Sequence, residues 1–205
     1  MRSQSERTPG IIYLSGSDLL AHSDRWYAEV EAATRGSEHL LTKTRAELEP
    51  AARAGLVTIA IDTTEDNRVV GCIVLWELER NEGVMWYELG TFLVVPDHRF
   101  KARGPKAMPI GDFLTRHLLE EHAGRHIMCT TDNPAAAHTF VRDGMRVVSF
   151  HDLPSSIHGA TCICPLSKTG TSTNRSCRLK NGPCHAFVSY NTWERMGCPD
   201  SPDMG

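Results

Sequence analysis

The residues of this chain with the clearest chemical use lie where the apolar run Leu93-Val94-Val95 passes through Pro96 into Arg99-Phe100-Lys101-Ala102-Arg103-Gly104. Small residues at alternate positions let a backbone approach a phosphate closely. The first N–H groups of a following helix point at such a group, and Arg99, Lys101, Arg103 and Lys106 supply counter-charge. Anion binding is the chemistry that fits. The competing reading is an ordinary strand-to-helix turn with solvated basic residues.

A second segment has the same punctuation. His126-Ile127-Met128-Cys129-Thr130-Thr131 reads as a strand, and Asn133 to Met145 reads as a helix with a Gly stop. Together the two segments resemble the GNAT family, the Gcn5-related N-acetyltransferases. In that family an Arg/Gln-x-x-Gly-x-Gly/Ala loop holds the coenzyme A pyrophosphate, and a later helix carries Asn, Ala three on, Tyr seven on, then Gly-Phe. Here Asn133, Ala136, Phe140, Gly144 and Met145 keep that register, with Ala102 at the usual first loop Gly and Phe140 at the usual Tyr. The resemblance covers roughly residues 11 to 168.

The resemblance implies acetyl-CoA as acyl donor and an amine as acceptor. The pantetheine arm would lie along Phe92, Leu93 and Val94, with the pyrophosphate on Arg99, Lys101, Ala102, Arg103 and Gly104, and Asn133 and Phe140 would complete the donor side. An amine is protonated at neutral pH, so attack on a thioester needs a base. Glu88, in Trp86-Tyr87-Glu88-Leu89-Gly90-Thr91, is the candidate, because aromatic and apolar neighbours can raise a carboxylate toward neutrality. The alternative for Glu88 is a solvated strand position or a partner for a Lys or Arg. His98 and His138 are reserve bases, although a lone His on a helix such as His138 is more often a surface residue, and Asp97 reads as shaping the turn after Pro96. Phe140 cannot protonate a departing thiolate, so water or Tyr87 would have to, or the chain binds acyl-CoA as a catalytically weak regulatory module.

These residues need a scaffold, and the apolar spacing describes one. Gly10 to Leu14 reads as a strand, then a helix capped at Ser17-Asp18 runs through Leu19, Trp26, Tyr27 and Val30 to Gly36, and a second helix spans Thr42 to Ala54. Leu56 to Ile61, Val69 to Leu78 and Val84 to Val95 are β-branched runs with short turns, which implies antiparallel pairing. Ile110, Phe113, Leu114 and Leu118 mark a helix, and Arg146 to Phe150 and Ala160 to Leu166 read as the last strands. The class is α/β, a GNAT-like mixed, mostly antiparallel central sheet flanked by helices. The acceptor pocket would involve the first helices and a loop at Asp152 to Gly159.

The expected organisation is an acyl-CoA-binding domain over residues 1–168 and a Cys-containing extension over 169–205, with the sheet closing before the extension. Cys177, Cys184, His185 and Cys198, with Cys162 and Cys164, could ligate zinc. No Cys-x-x-Cys knuckle is present, so the favoured reading has no metal: Ala186 to Trp193 is a short amphipathic segment packed on the domain or on a second copy in a homodimer.

Composition narrows the rest. A length of 205 residues gives ample core, and a net charge of −3 with pI near 6.4 argues against nucleic acid as principal partner. The start of the chain lacks the apolar stretch of a signal peptide, no run is long enough to span a bilayer, and the odd cysteine count is unlike a secreted disulfide framework. A cytoplasmic protein with reduced thiols is the expectation.

Overall fold

The computed structural model describes residues 10–37, 40–99, 108–131, 133–149, 152–161 and 185–197. Its elements begin with β1 (Ile11–Ser15), α1 (Gly16–Leu20), α2 (Arg25–Arg35), α3 (Arg45–Arg53), β2 (Val57–Asp62), β3 (Arg68–Asn81) and β4 (Val84–Val94). A 3-10 turn (Pro96–His98), α4 (Ile110–Glu121), β5 (His126–Thr131), α5 (Pro134–Arg142) and β6 (Met145–Val148) follow. The last are α6 (Ser155–Thr161), β7 (His185–Ser189) and α7 (Tyr190–Met196). The hydrogen-bonded strand order is β1-β2-β3-β4-β5-β7-β6. Because β4 and β5 pair in parallel while β1–β2, β2–β3, β5–β7 and β6–β7 are antiparallel, the sheet is mixed and mostly antiparallel.

The chain forms two compact units, and the first comprises Met1–Trp76 with Gly90–Glu121. Every residue of β2 is buried, the polar Thr58 and Asp62 included. Helix α4 lies very close to β3: a Cβ at Gly71 would stand 2.9 Å from both Ile110 and Leu114 side-chain atoms. Only hydrogen fits there. Helix α3 starts at Arg45 rather than near Thr42, because the Thr44 N–H donates to Glu47 Oε2 at 2.9 Å and closes a capping box. The single helix expected from Ser17 to Gly36 is two. Leu19 and Trp26 sit on α1 and α2, separated by Ala21 to Asp24, where Ser23 Oγ accepts from the Arg25 N–H and starts a new helix. Apolar spacing alone is blind to such a break.

The second unit comprises Glu77–Leu89 with His122–Gly205. Its core gathers Trp86, Met128, Val148, Leu153, Ile157, Ala186 and Val188, with Leu78, Trp193 and Met196 packed against them. Two expectations are corrected here. Ala160 and Thr161 end helix α6 rather than opening a strand, and most of the expected Asp152 to Gly159 loop is that helix, anchored by the buried Ile157 with the buried Leu153 just ahead of it. The remainder of the expected strand, residues 162–166, lies outside the described residues. Nor does the sheet close before the tail: β7 lies between β5 and β6 and pairs with each, Cys129 opposite Phe187 on one side and Val147 opposite Phe187 on the other. Ala186 to Ser189 is therefore an interior strand and Tyr190 to Trp193 begins a helix, where a short amphipathic segment packed on the domain or on a second copy was expected.

Candidate functional site

In the first unit, β4 delivers Phe92, Leu93 and Val94 and the chain turns at Pro96–His98. Leu93 is buried, while Phe92 and Val94 are half-buried. The exposed Arg99 folds back, and its Nε–H donates to the Val94 carbonyl at 3.0 Å. That bond ties the side chain expected to face a pyrophosphate to the last residue of the expected donor strand. Lys101, Ala102, Arg103 and Gly104 lie outside the described residues, as does Lys106. The flanking elements are β4, which ends at Val94, and α4, which opens at Ile110, six residues beyond Gly104.

The turn itself is anchored. His98 is buried, and its Nε2 lies 3.0 Å from Oδ2 of the fully buried Asp62 at the end of β2. Asp62 Oδ1 accepts from the Thr64 N–H at 2.8 Å and from its hydroxyl at 2.6 Å. With Glu65 these residues place three potential ligand atoms within 4.8 Å of one another, the one such group among the described residues. The contacts present already account for the arrangement, since Glu65 also pairs with Arg68 at 3.3 Å and the imidazole is bonded to Asp62. His98 is thus placed as a buried structural partner rather than an accessible base. His138 is exposed on α5, and Asp97 is exposed within the 3-10 turn.

In the second unit, Tyr87 and Glu88 lie opposite Ile127 and Met128 in the parallel β4–β5 pair. Tyr87 and Glu88 are consecutive in β4 and both half-buried, between the buried Trp86 and Leu89. Tyr87 lies beneath Arg125, whose guanidinium is 4.5 Å from the ring centroid. Glu88 is half-buried and near enough to Cys129 to act on it: burial first, and the Glu88 charge second, hold that thiol well above its ordinary pKa. Asn133 is the N-cap of α5, its Oδ1 accepting from the Ala135 N–H at 3.0 Å, so its identity has a structural explanation. Phe140, two turns on, is buried and meets Phe187 edge-on at 5.9 Å between centroids. The candidate zinc ligands Cys162, Cys164, Cys177, Cys184 and Cys198 lie outside the described residues, as does the His185 side chain.

No protein-family model matches this chain, and no curated protein matches it. Solved structures do, and they define the fold as that of the GNAT acetyltransferases. An acetyltransferase of the GNAT family from Staphylococcus aureus Mu50 aligns over 87% of this chain and 98% of its own, with TM-score 0.52 and 17% identity. A chain of the NatC complex bound to Gag peptide and CoA aligns over 87% of this chain and 97% of its own, with TM-score 0.56 and 14% identity. Diaminobutyrate acetyltransferase from Paenibacillus lautus, in complex with L-2,4-diaminobutyric acid and coenzyme A, aligns over 95% and 98%, with TM-score 0.51 and 14% identity.

Proposed function

We propose that this chain is an N-acetyltransferase, moving an acetyl or related acyl group from acetyl-CoA to a primary amine of a small molecule, a peptide or a protein. The observation that carries this reading is the near full-length likeness to structures bound to CoA, obtained on a chain whose sequence independently presents the strand–loop–helix segment for a pyrophosphate. The similar structures hold acceptors as different as a peptide and a diamino acid, so the acceptor stays at the level of an amine.

In this reading the backbone of Phe92, Leu93 and Val94 takes the pantetheine arm and residues 99–104 take the pyrophosphate. The amine lone pair attacks the thioester carbonyl, a C–N bond forms, the C–S bond breaks, and CoA leaves as a thiolate. Glu88 takes the proton from the amine, directly or through water. Water or the Tyr87 hydroxyl protonates the thiolate, because Phe140 carries no proton to give and the basicity of a thiolate is modest. The buried packing of Phe140 on Phe187 favours one second reading, an acyl-CoA-binding module that regulates a partner and turns over slowly.

Binding and turnover separate the two. Acetyl-CoA should raise the melting temperature, as does any ligand that prefers the folded state, and Gly104→Glu should abolish the rise. Free-thiol release from acetyl-CoA that depends on an added amine supports the enzyme; a thermal shift without amine-dependent release supports the module. No shift at millimolar acetyl-CoA rejects both.

A further inference from the structure

Thr91 is the one residue of β4 with a left-handed backbone, at φ 50°, in the middle of the strand and directly before Phe92. A β-branched residue is rarely found there, since its Cβ crowds the backbone, and such a conformation persists only where surrounding contacts fix it. Trp76 of β3 makes the fixing contact: its indole Nε1–H donates to Thr91 Oγ1 at 3.1 Å. The indole also lies flush against the preceding residue, so that a Cβ at Gly90 would stand 2.9 Å from Trp76 Cδ1. The Lys43 ammonium lies over the ring, 4.3 Å from the centroid, while the Lys43 backbone N–H is held by the buried Thr34 hydroxyl at 3.1 Å.

We infer that Trp76 is a positioning residue for the donor strand: through Thr91 it holds β4 in the irregular conformation that presents the backbone of Phe92 to Val94 to an acyl-CoA. The inference rests on the acyl-CoA reading of the chain and adds a residue that touches no ligand in that reading. A left-handed residue turns the peptide groups after it out of the plain ladder alternation. The three residues that follow are those assigned to the pantetheine arm. Without the indole bond, extended conformations of Thr91 compete, and the apparent Kd rises as the competent fraction falls.

The experiment is a binding cycle with acetyl-CoA on the full chain, by isothermal titration, with circular dichroism and melting curves as the check on folding. Trp76→Phe keeps a ring and removes the N–H; it should weaken acetyl-CoA by roughly 3- to 10-fold, the range set by one hydrogen bond. Adding Thr91→Gly, which adopts positive φ without support, should restore affinity to within about twofold of wild type. Rescue by glycine is the outcome a purely packing role for Trp76 does not give. If Trp76→Phe fails to fold, Thr91→Val, which keeps the branched shape and deletes the acceptor, must show the same loss. Unchanged affinity in a folded Trp76→Phe protein, or a loss that Thr91→Gly leaves in place, overturns the inference while the acyl-CoA reading stands. Absence of binding in the wild type removes both, and only that arm does so.

Discussion

Ending the chain at residue 184 should unfold the second unit, although the sequence invites the opposite expectation. The cut deletes β7 and α7, and β7 is an interior strand. Phe187 and Val188 are both 0% exposed. Burying a Phe and a Val contributes about 1.5–3 kcal/mol each, so the two side chains alone account for about 3–6 kcal/mol. Two further losses follow. β5 and β6 each surrender the partner of an antiparallel ladder, and the Ile127 N–H loses the Thr192 Oγ1 acceptor at 2.9 Å, leaving buried polar groups to find water. Against a typical stability of about 5–15 kcal/mol, that sum removes most or all of the margin. A graded version keeps the chain whole: Phe187→Ala should cost about 3–5 kcal/mol and lower the melting temperature by roughly 6–20 °C, at about 2–4 °C per kcal/mol for a chain of this size. Circular dichroism melts of both proteins beside wild type are the assay. A truncated protein that melts cooperatively within about 2 °C of the full chain would refute the argument from β7.

Four other outcomes are expected. Glu88→Gln should lower kcat by roughly 10²-fold with acetyl-CoA affinity nearly unchanged, and activity within about threefold of wild type would move the base elsewhere. His98→Leu should cost about 1–3 kcal/mol in melting experiments because Oδ2 of the buried Asp62 loses its partner while Oδ1 keeps its Thr64 bonds; a folded variant of normal melting temperature with reduced kcat would instead make His98 chemical. Glu47→Ala should weaken α3, and the deficit should depend on pH. The Thr44 N–H bond holds the Glu47 carboxyl below its ordinary 4.5, so its contribution is present above that value and is lost as pH falls through the lower folded value; a deficit in stability that grows on acidification contradicts this. Burial pushes the Cys72 thiol up to about 12 and Cys129 well above its usual range, so alkylation at pH 8 with peptide mapping should leave both unmodified until the protein is unfolded.

What the amino-acid order determined by itself was local and periodic. The strand at His126–Thr131, the α5 helix with its Gly144 stop, the α4 stripe of Ile110, Phe113, Leu114 and Leu118, and the run of β-strands into β4 were all legible, because each is set by side-chain spacing and by stop signals within a few residues. The break between α1 and α2 was not, since Leu19 and Trp26 keep helical spacing across it. Tertiary structure decided everything that depends on partners distant in sequence. Ala186-Phe187-Val188 reads in sequence as part of an amphipathic segment packed on the domain, and only pairing with β5 and β6 makes it an interior strand. His98 looked like a reserve base until the fold set it against Asp62, 36 residues away. Trp76 and Thr91 carry no motif at all, because a positive φ in mid-strand is imposed by the neighbours that pay its strain and is invisible in the residues that adopt it.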